Sequence, residues 1–429
     1  KTYDATNWLG PNTWPPIGQN YLVSTTTHFP DPNSTTNIII SAAAGDVHWG
    51  MEKTYDFYQN TFGRNSYDNQ GGQIATFINP PSMQPTASNP LAGMNASAMS
   101  DGIIGGMTFT QYGLGDYNST ASAYTPIDVV AHEFTHNVTT FTANLLYAGE
   151  CGALNESFSD IIGYCIKNAT TGVTNWTIGE DIYSNATNPI PNPIMRSMSN
   201  PNAKENPDTY KGDYWLPVLD INGDLNYDNG GVHINSGVQN HWFYLLSEGG
   251  SGTNDNGDSY SVTGIGIPSA LEIAYRNLST QLTQTSTYTD AYYGSLQAAA
   301  DLYGNPSLEY STVQDAWSAV GVGIYCDGTT NLTAVSGSFD DGSNNAQYNN
   351  NSDCKWLIDI PAAISIELSF SQFDTETGYD HVIVYDGNTT NAAVLGTFSG
   401  QTIPPVINSS GSQLLVRFTS DNLISSSGW

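Results

Sequence analysis

The stretch Asp128-Val129-Val130-Ala131-His132-Glu133-Phe134-Thr135-His136-Asn137-Val138 decides how the rest of this 429-residue chain is read. His132 and His136 stand four residues apart. On an α-helix that spacing puts both imidazoles on one face, a turn apart, where they can grip one metal ion. Val129, Val130, Phe134 and Val138 supply the apolar stripe of such a helix, and Asp128 puts a carboxylate in its first turn, where the helix dipole favours it. A catalytic zinc takes three protein ligands and leaves one position for water. Asn155-Glu156-Ser157-Phe158-Ser159-Asp160 begins the next helical segment, and Glu156 is the natural third ligand. One turn later, Asp160 is placed to accept the outer N–H of a ligand histidine. A lone H-E-x-x-H also occurs by accident on exposed helices. The added N-E-x-x-x-D decides for zinc.

Outward from this segment the pattern divides the chain in three. Residues 1–125 are rich in Asn, Pro, Tyr and Gly with short apolar runs such as Ile38-Ile39-Ile40, and read as β-rich, with one helix from Asp46 to Phe62. Helical periods follow at Pro126–Leu146, Gly152–Lys167, Val232–Ser247, Ile265–Leu278 and Tyr288–Leu302, with a turn at Asn254-Asp255-Asn256-Gly257-Asp258. Past Gly321-Val322-Gly323, Ile364, Ile366, Leu368 and Phe370 alternate with polar residues. Val382–Tyr385 and Leu414–Phe418 read as further strands, so an all-β module begins near residue 325.

The composition narrows the partners. Hydrophobic residues make up 39% of the chain, ample for sizeable cores. Ten basic against 40 acidic residues give a net charge of −30, which argues against nucleic acid and anionic membranes. No apolar run reaches the roughly 18 residues of a membrane span. The expectation is a soluble, secreted, extracellular monomer acting on protein or peptide substrates. Cys151 and Cys165 lie about 21 Å apart if they share one helix, too far to bond, and are expected to be free, buried thiols.

Several separated blocks carry a family resemblance. Asp128 through His136, Tyr147, Gly152 through Asp160, Arg196-Ser197-Met198-Ser199 and Asp228-Asn229-Gly230-Gly231-Val232-His233-Ile234-Asn235-Ser236-Gly237 follow the pattern of the thermolysin family at the same spacings. The resemblance implies an α+β fold: a two-lobed metalloprotease with a β-rich N-terminal lobe (1–138) and a mainly helical C-terminal lobe (139–325). It further implies a zinc endopeptidase that hydrolyses peptide bonds on the amino side of bulky hydrophobic residues through a zinc-activated water. In that scheme His132, His136 and Glu156 hold zinc, and Glu133 is the general base. His233, oriented by Asp228, and Tyr147 donate to the developing oxyanion, and Arg196 binds a substrate carbonyl. Asn95 and Ala96 resemble the edge that pairs with substrate. Val129, Ile178 and Met195 fall where the family lines its specificity pocket. His28, His48, His241 and His381 lack partners at ligand spacing and read as ordinary histidines.

Residues 326–429 resemble a CUB domain, a β-sandwich. Cys326, Cys354-Lys-Trp-Leu-Ile, Leu368 through Glu376, Tyr379-Asp380, Tyr385-Asp386-Gly387 and Phe418-Thr-Ser-Asp421 carry the likeness. It implies a Cys326–Cys354 disulfide and a calcium site of Glu376, Asp380 and Asp421, with solvated loop acids as the alternative. Against the family pattern, Lys167, Asn175 and Thr177 stand where acids usually bind calcium beside the active-site helices. The Lys167 ammonium is expected to replace that ion by pairing with Asp128 or Glu180. The alternating acids and amides from Asp220 to Asp228 fit either a calcium loop or an ordinary turn. The likeness also predicts a missing first hairpin before Lys1 and a missing last strand after Trp429. Two other functions compete: a catalytically silent scaffold that binds protein or glycan through its CUB module, and an aminopeptidase.

Overall fold

A computed structural model describes residues 2–4, 35–80, 83–84, 92, 94–99, 108–115, 123–182, 194–322, 327–341, 348, 352–421 and 426–429. In the first lobe, β1 (Thr2–Asp4), β2 (Ala75–Ile78), β3 (Ala96–Met99) and β4 (Phe109–Tyr112) form one sheet in the order β1-β2-β4-β3. Only β3, antiparallel to β4, runs against its neighbour, and its outer edge pairs with nothing among the described residues. The long helix α1 (Thr35–Phe62) lies against this sheet and α2. It includes Ile38–Ile40, so the reading of that apolar run as β structure is corrected. Ala43, Ala44, Val47, Met51, Thr54 and Tyr58 are buried at helical spacing, and this longer period outweighs the local β-branched triplet.

Two helices cross at the centre, α2 (Ile127–Thr140) and α3 (Gly149–Thr171). The sequence predicted both, but α2 stops short of Leu146, at the turn Phe141–Asn144, where Asn144 takes φ 52°. α3 ends at Gly172, whose left-handed φ of 77° lets its N–H reach Asn168 O. The two helices approach closely at Gly163: a Cβ there would sit 2.6 Å from the backbone oxygen of Asp128. Beyond them lie the short pair β5 (Thr177–Ile178) and β6 (Arg196–Ser197), then α4 (Tyr227–Asn235), α5 (Gly237–Glu248), the hairpin β7 (Gly249–Thr253) and β8 (Ser259–Thr263), α6 (Gly266–Arg276), α7 (Tyr288–Tyr303) and α8 (Leu308–Ala319). The expected Asn254–Asp258 turn closes that hairpin, and α8 was not foreseen. One apolar cluster runs through both lobes, from Ala43 to Val322. Tyr58 packs on Phe134 at 5.4 Å between ring centroids, and Trp242 stacks on Trp317 at 4.6 Å.

In the C-terminal region, β9 (Asp327–Leu332), β10 (Asp353–Asp359), β12 (His381–Asp386), β13 (Ala393–Phe398) and β15 (Gln413–Thr419) form a sheet in the order β13-β12-β15-β10-β9, and β11 (Glu367–Leu368) pairs with β14 (Ile407–Asn408). Ile366, Leu368 and Ile407 pack against Val382, Val384, Leu414, Val416 and Phe418, giving this region a core of its own. The expected alternation therefore holds from Ile366 onward, whereas Ile364 is exposed. Cys354 is buried in β10, and Cys326 lies outside the described residues, as does His28. Cys151 and Cys165 are free, both on α3; Cys165 is buried and Cys151 half-buried. No helix among the described residues is long and apolar enough to cross a membrane.

Lys167 pairs with both of the acids expected from sequence. It is 1% exposed, and its Nζ lies 3.1 Å from Asp128 Oδ2 and 3.0 Å from Glu180 Oε1, tying α3 to α2 and to the segment after β5. Asp128 Oδ2 also accepts from Gly179 N at 2.9 Å. Burial pushes the lysine pKa down, but Asp128 and Glu180 outweigh it, and the net shift is upward. Such a pair stabilises fully below the unfolded lysine value of about 10.4 and is lost as pH rises through the higher folded value. Lys167→Met leaves the Asp128 carboxylate buried and uncompensated, and should cost about 3–5 kcal/mol. Chemical denaturation at pH 7 measures this, and the wild-type advantage should shrink in alkali above about pH 10.4.

Candidate metal centre and catalytic cleft

The helical spacing of α2 does what the sequence predicted. His132 Nε2 and His136 Nε2 come within 3.0 Å of each other, and Glu156 on α3 brings Oε2 to 3.3 Å from the first and Oε1 to 3.4 Å from the second. One ligand atom from each of the three lies within 4.8 Å of the others. The outer nitrogens are fixed: His132 Nδ1 is 2.9 Å from Asp160 Oδ1, and His136 Nδ1 is 2.8 Å from Asn155 Oδ1 and 3.2 Å from Ser159 Oγ. With the protons held on Nδ1, the Nε2 lone pairs face one another and the Glu156 carboxylate. Glu156 Oε2 is buried without a hydrogen-bond partner. Three inward-facing acceptors repel unless a cation lies between them.

The charges make the same demand. Glu133 and Glu156 are 6% and 0% exposed, and Asp160 is 0% exposed. Arg196 is the one guanidinium facing them among the described residues. It forks onto Asp160 with Nε and one amino nitrogen, each at 2.6 Å, while Asn240 Nδ2 donates to Asp160 Oδ2 at 2.8 Å. Without a cation there a proton takes its place: burial resists charge on His132, yet Asp160 and Glu156 together push its pKa up to about 10. Burial alone would raise Glu156, but His233, His136 and His132 hold it well below the usual carboxylate range. A divalent cation matches the charge left uncompensated, and two imidazoles with one carboxylate suit zinc better than calcium or magnesium.

Glu133 lies on α2 between the histidines and lines the cleft. Burial, reinforced by Glu156 and opposed by His132, pushes its pKa up to about 7. Across the cleft His233 Nδ1 lies 2.5 Å from Asp228 Oδ1, and its Nε2 lies 3.1 Å from the Tyr147 hydroxyl. The Tyr147 hydroxyl in turn donates to Glu156 Oε1. This arrangement depends on Asp228-Asn229-Gly230-Gly231, four successive residues with φ of 57°, 50°, 82° and 84°. Asp, Asn and Gly are the residues that tolerate such left-handed backbone, and the turn lets Asp228 accept from both the N–H and the ring of His233.

A second hollow of about 230 Å³ opens beside Glu133, lined by Val129, Ile178, Met195, Arg196, Asn95 and Ala96. The structure thus gathers every residue placed there from sequence. Met94 and Tyr124 complete it. Sequence reasoning missed both, which sit outside any motif, and it also missed the grip of Asn155 on His136, although Asn155 stands beside Glu156 in the quoted block. The Asp220 carboxylate accepts from Asn222 N at 2.8 Å and Asp224 N at 3.0 Å, so that loop is a self-capped turn. In the C-terminal region, Glu376, Asp380 and Asp421 also bring ligand atoms within 4.8 Å. Glu376 Oε2 is buried without a hydrogen-bond partner, and burial with the neighbouring carboxylates raises the Glu376 pKa.

Comparison with known proteins agrees with this geometry. The family description "Thermolysin metallopeptidase, catalytic domain" matches residues 1–140, "Thermolysin metallopeptidase, alpha-helical domain" matches 143–322, and "CUB domain" matches 326–429. The neutral protease NprE of Bacillus pumilus is 37% identical over 293 residues, covering 68% of this chain and 81% of that one. The chain belongs to the thermolysin family of metallopeptidases. A bacillolysin of Bacillus cereus is 38% identical over 292 residues, 68% of this chain and 46% of its own length. This thermolysin-family chain thus spans about half the length of the first curated relatives it matches. Among solved structures, the precursor of protealysin, a metalloproteinase from Serratia proteamaculans, shares the fold. Its TM-score is 0.52 at 26% identity, over 75% of this chain and 87% of that one. Asp160→Asn should weaken zinc retention about 10–100-fold, because the carboxylate that fixes His132 loses its charge. Competition with a calibrated chelator measures this, and unchanged zinc affinity would show that the His132–Asp160 contact is incidental.

Proposed function

We propose that the protein is a secreted zinc endopeptidase that cuts polypeptides on the amino side of bulky apolar residues. The convergence of His132, His136 and Glu156 next to a buried Glu133 carries this reading. These three residues hold the ion. Bound zinc supplies a Lewis acid for the scissile carbonyl and lowers the pKa of water toward neutrality. The chain's own groups do the rest. Glu133, buried between the two histidines on α2, takes a proton from the attacking water and later passes it to the leaving amine. His233, held by Asp228, and Tyr147 donate to the oxygen that gains charge as the carbonyl turns tetrahedral. Asp160 fixes His132 and Arg196 together, and the remaining amino nitrogen of Arg196 is left to receive a substrate carbonyl.

An extended peptide pairs with the open edge at Asn95 and Ala96, and its next side chain enters the hollow of Val129, Ile178 and Met195. Burial there favours large apolar groups by about 25 cal/mol per Å². The protease portion divides at residue 138, within the zinc helix, and the CUB portion begins at 326 with a Cys326–Cys354 bridge. Glu376, Asp380 and Asp421 bind calcium, and this module holds protein or glycan substrate. The charge of −30 supports an extracellular monomer with no nucleic-acid or membrane partner.

Glu133→Gln should cut kcat about 10²–10⁴-fold while zinc content stays at one ion per chain, read by casein digestion and metal analysis. Peptides with Leu or Phe after the cut should outrun those with Asp or Lys by more than about tenfold in kcat/KM. Equal turnover would sink the proposed specificity. Calcium should raise the unfolding midpoint of the CUB portion, and Asp421→Asn should remove that rise; an unmoved midpoint in the wild type would mean solvated loop acids.

A further inference from the structure

Two hollows meet at Glu133. The smaller is the one already described, with Val129, Ile178 and Met195 in its wall. The larger, about 410 Å³, runs from β3 past His136 to Leu146 and Tyr147, and Asn137, Thr140 and Asn144 line it from the end of α2 and the turn after it. Ala96, His132, Glu133 and His233 border both hollows. A peptide that seats the residue after the cut in the smaller hollow therefore lays the residues before the cut in the larger one.

Neither the metal centre nor the apolar core accounts for Asn137. It is 3% exposed, and its Oδ1 is shut from solvent with no hydrogen-bond partner. The next residue toward the N-terminus, His136, is by contrast held through Asn155 and Ser159. A helical position that needed only to pack would be better served by alanine, which has the higher helix propensity and no polar group to leave unpaired. We propose that Asn137 sets specificity on the amino side of the cut, its carboxamide turning from this closed position into the hollow to pair with a neutral hydrogen-bonding side chain of the substrate: Asn, Gln, Ser or Thr. This rests on the endopeptidase reading above. Carboxamide and hydroxyl groups both donate and accept, so they satisfy Asn137 whichever way its amide is turned. Acidic side chains are repelled by Glu133 and Glu156, which line the same hollow. Apolar ones fill the space but leave the carboxamide unpaired, and a polar site discriminates most strongly against an analogue that lacks the hydrogen bond.

The test uses the zinc-loaded full chain and peptides with Leu fixed after the cut, scanning Gln, Asn, Ser and Leu through the two positions before it. At one of those positions the wild type should favour Gln or Asn over Leu by about tenfold or more in kcat/KM. In Asn137→Ala the ratio should fall to near one, with the change in KM of the polar peptide. Each ratio compares two peptides on one enzyme, so any disturbance of neighbouring His136 cancels. Asn137→Asp, which keeps the shape and adds a charge, should turn the preference toward Lys and Arg. Binding of the same peptides to the Glu133→Gln variant, read by calorimetry, should follow the same order. A flat wild-type profile, or a preference that survives in Asn137→Ala, would overturn the inference and leave the protease reading standing. Failure of the wild type to cleave any peptide would sink that reading itself.

Discussion

The Asp160 carboxylate is the constraint on which the site depends. It is fully buried, and it is shared by His132 on α2, Arg196 on β6 and Asn240 on α5 while belonging to α3. A buried carboxylate is tolerable only when its lone pairs are taken and its charge is matched. Satisfying it requires four elements to stand in one mutual arrangement, and that arrangement also aims His132 at His136 and Glu156. Loss of any partner would leave charge uncompensated in the interior, so metal geometry and fold are stabilised by the same contacts.

Along α3 the same face continues through Gly163 to Lys167, spaced three and seven residues from Asp160. Gly163 lets α3 touch the backbone of α2, and Lys167 neutralises Asp128 at the start of that helix. The first half of α2 is thus held by charge at Asp128 and at His132, and kept close to α3 between them by the lack of a side chain. A tethered lysine and a bound calcium ion both answer Asp128, but they differ in one respect. An ion stabilises by mass action and is lost when its concentration falls. The ammonium of Lys167 is present at every calcium concentration.

How far the sequence could be read follows from where each constraint lives. The convergence of His132, His136, Glu156 and Asp160 was legible because helix geometry converts fixed spacings into directions, and the Lys167 pairing was legible because a cation stood among expected acids. The split between a protease and an all-β module was legible as a change of hydrophobic period. Ile38–Ile40 misled because three β-branched residues outweigh helical period in a short window, although burial from Ala43 to Tyr58 restores that period. The left-handed run at Asp228–Gly231 could be noticed as a composition, but its consequence, two hydrogen bonds from one carboxylate to one histidine, required coordinates. Met94 and Tyr124 were invisible because non-local packing, not spacing, brings them to the cleft.

These differences separate chemistry from selection within one cleft. His132, His136, Glu156 and Asp160 sit on two long helices whose positions are over-determined by burial and charge. The walls of the cleft come from a sheet edge, from residues before α2 and after its end, and from the short β5–β6 pair. Side chains on such walls can change without moving the helices, whereas a change on the α2–α3 face disturbs the candidate metal site and the core together. Asn137 stands at the junction. It belongs by sequence to the rigid zinc helix and by contact to the cleft wall, so whatever it pairs with is held in fixed register to the reacting centre. A group placed there acts on the position of a substrate as much as on its affinity, and positional error is what hydrolysis by a fixed base tolerates least.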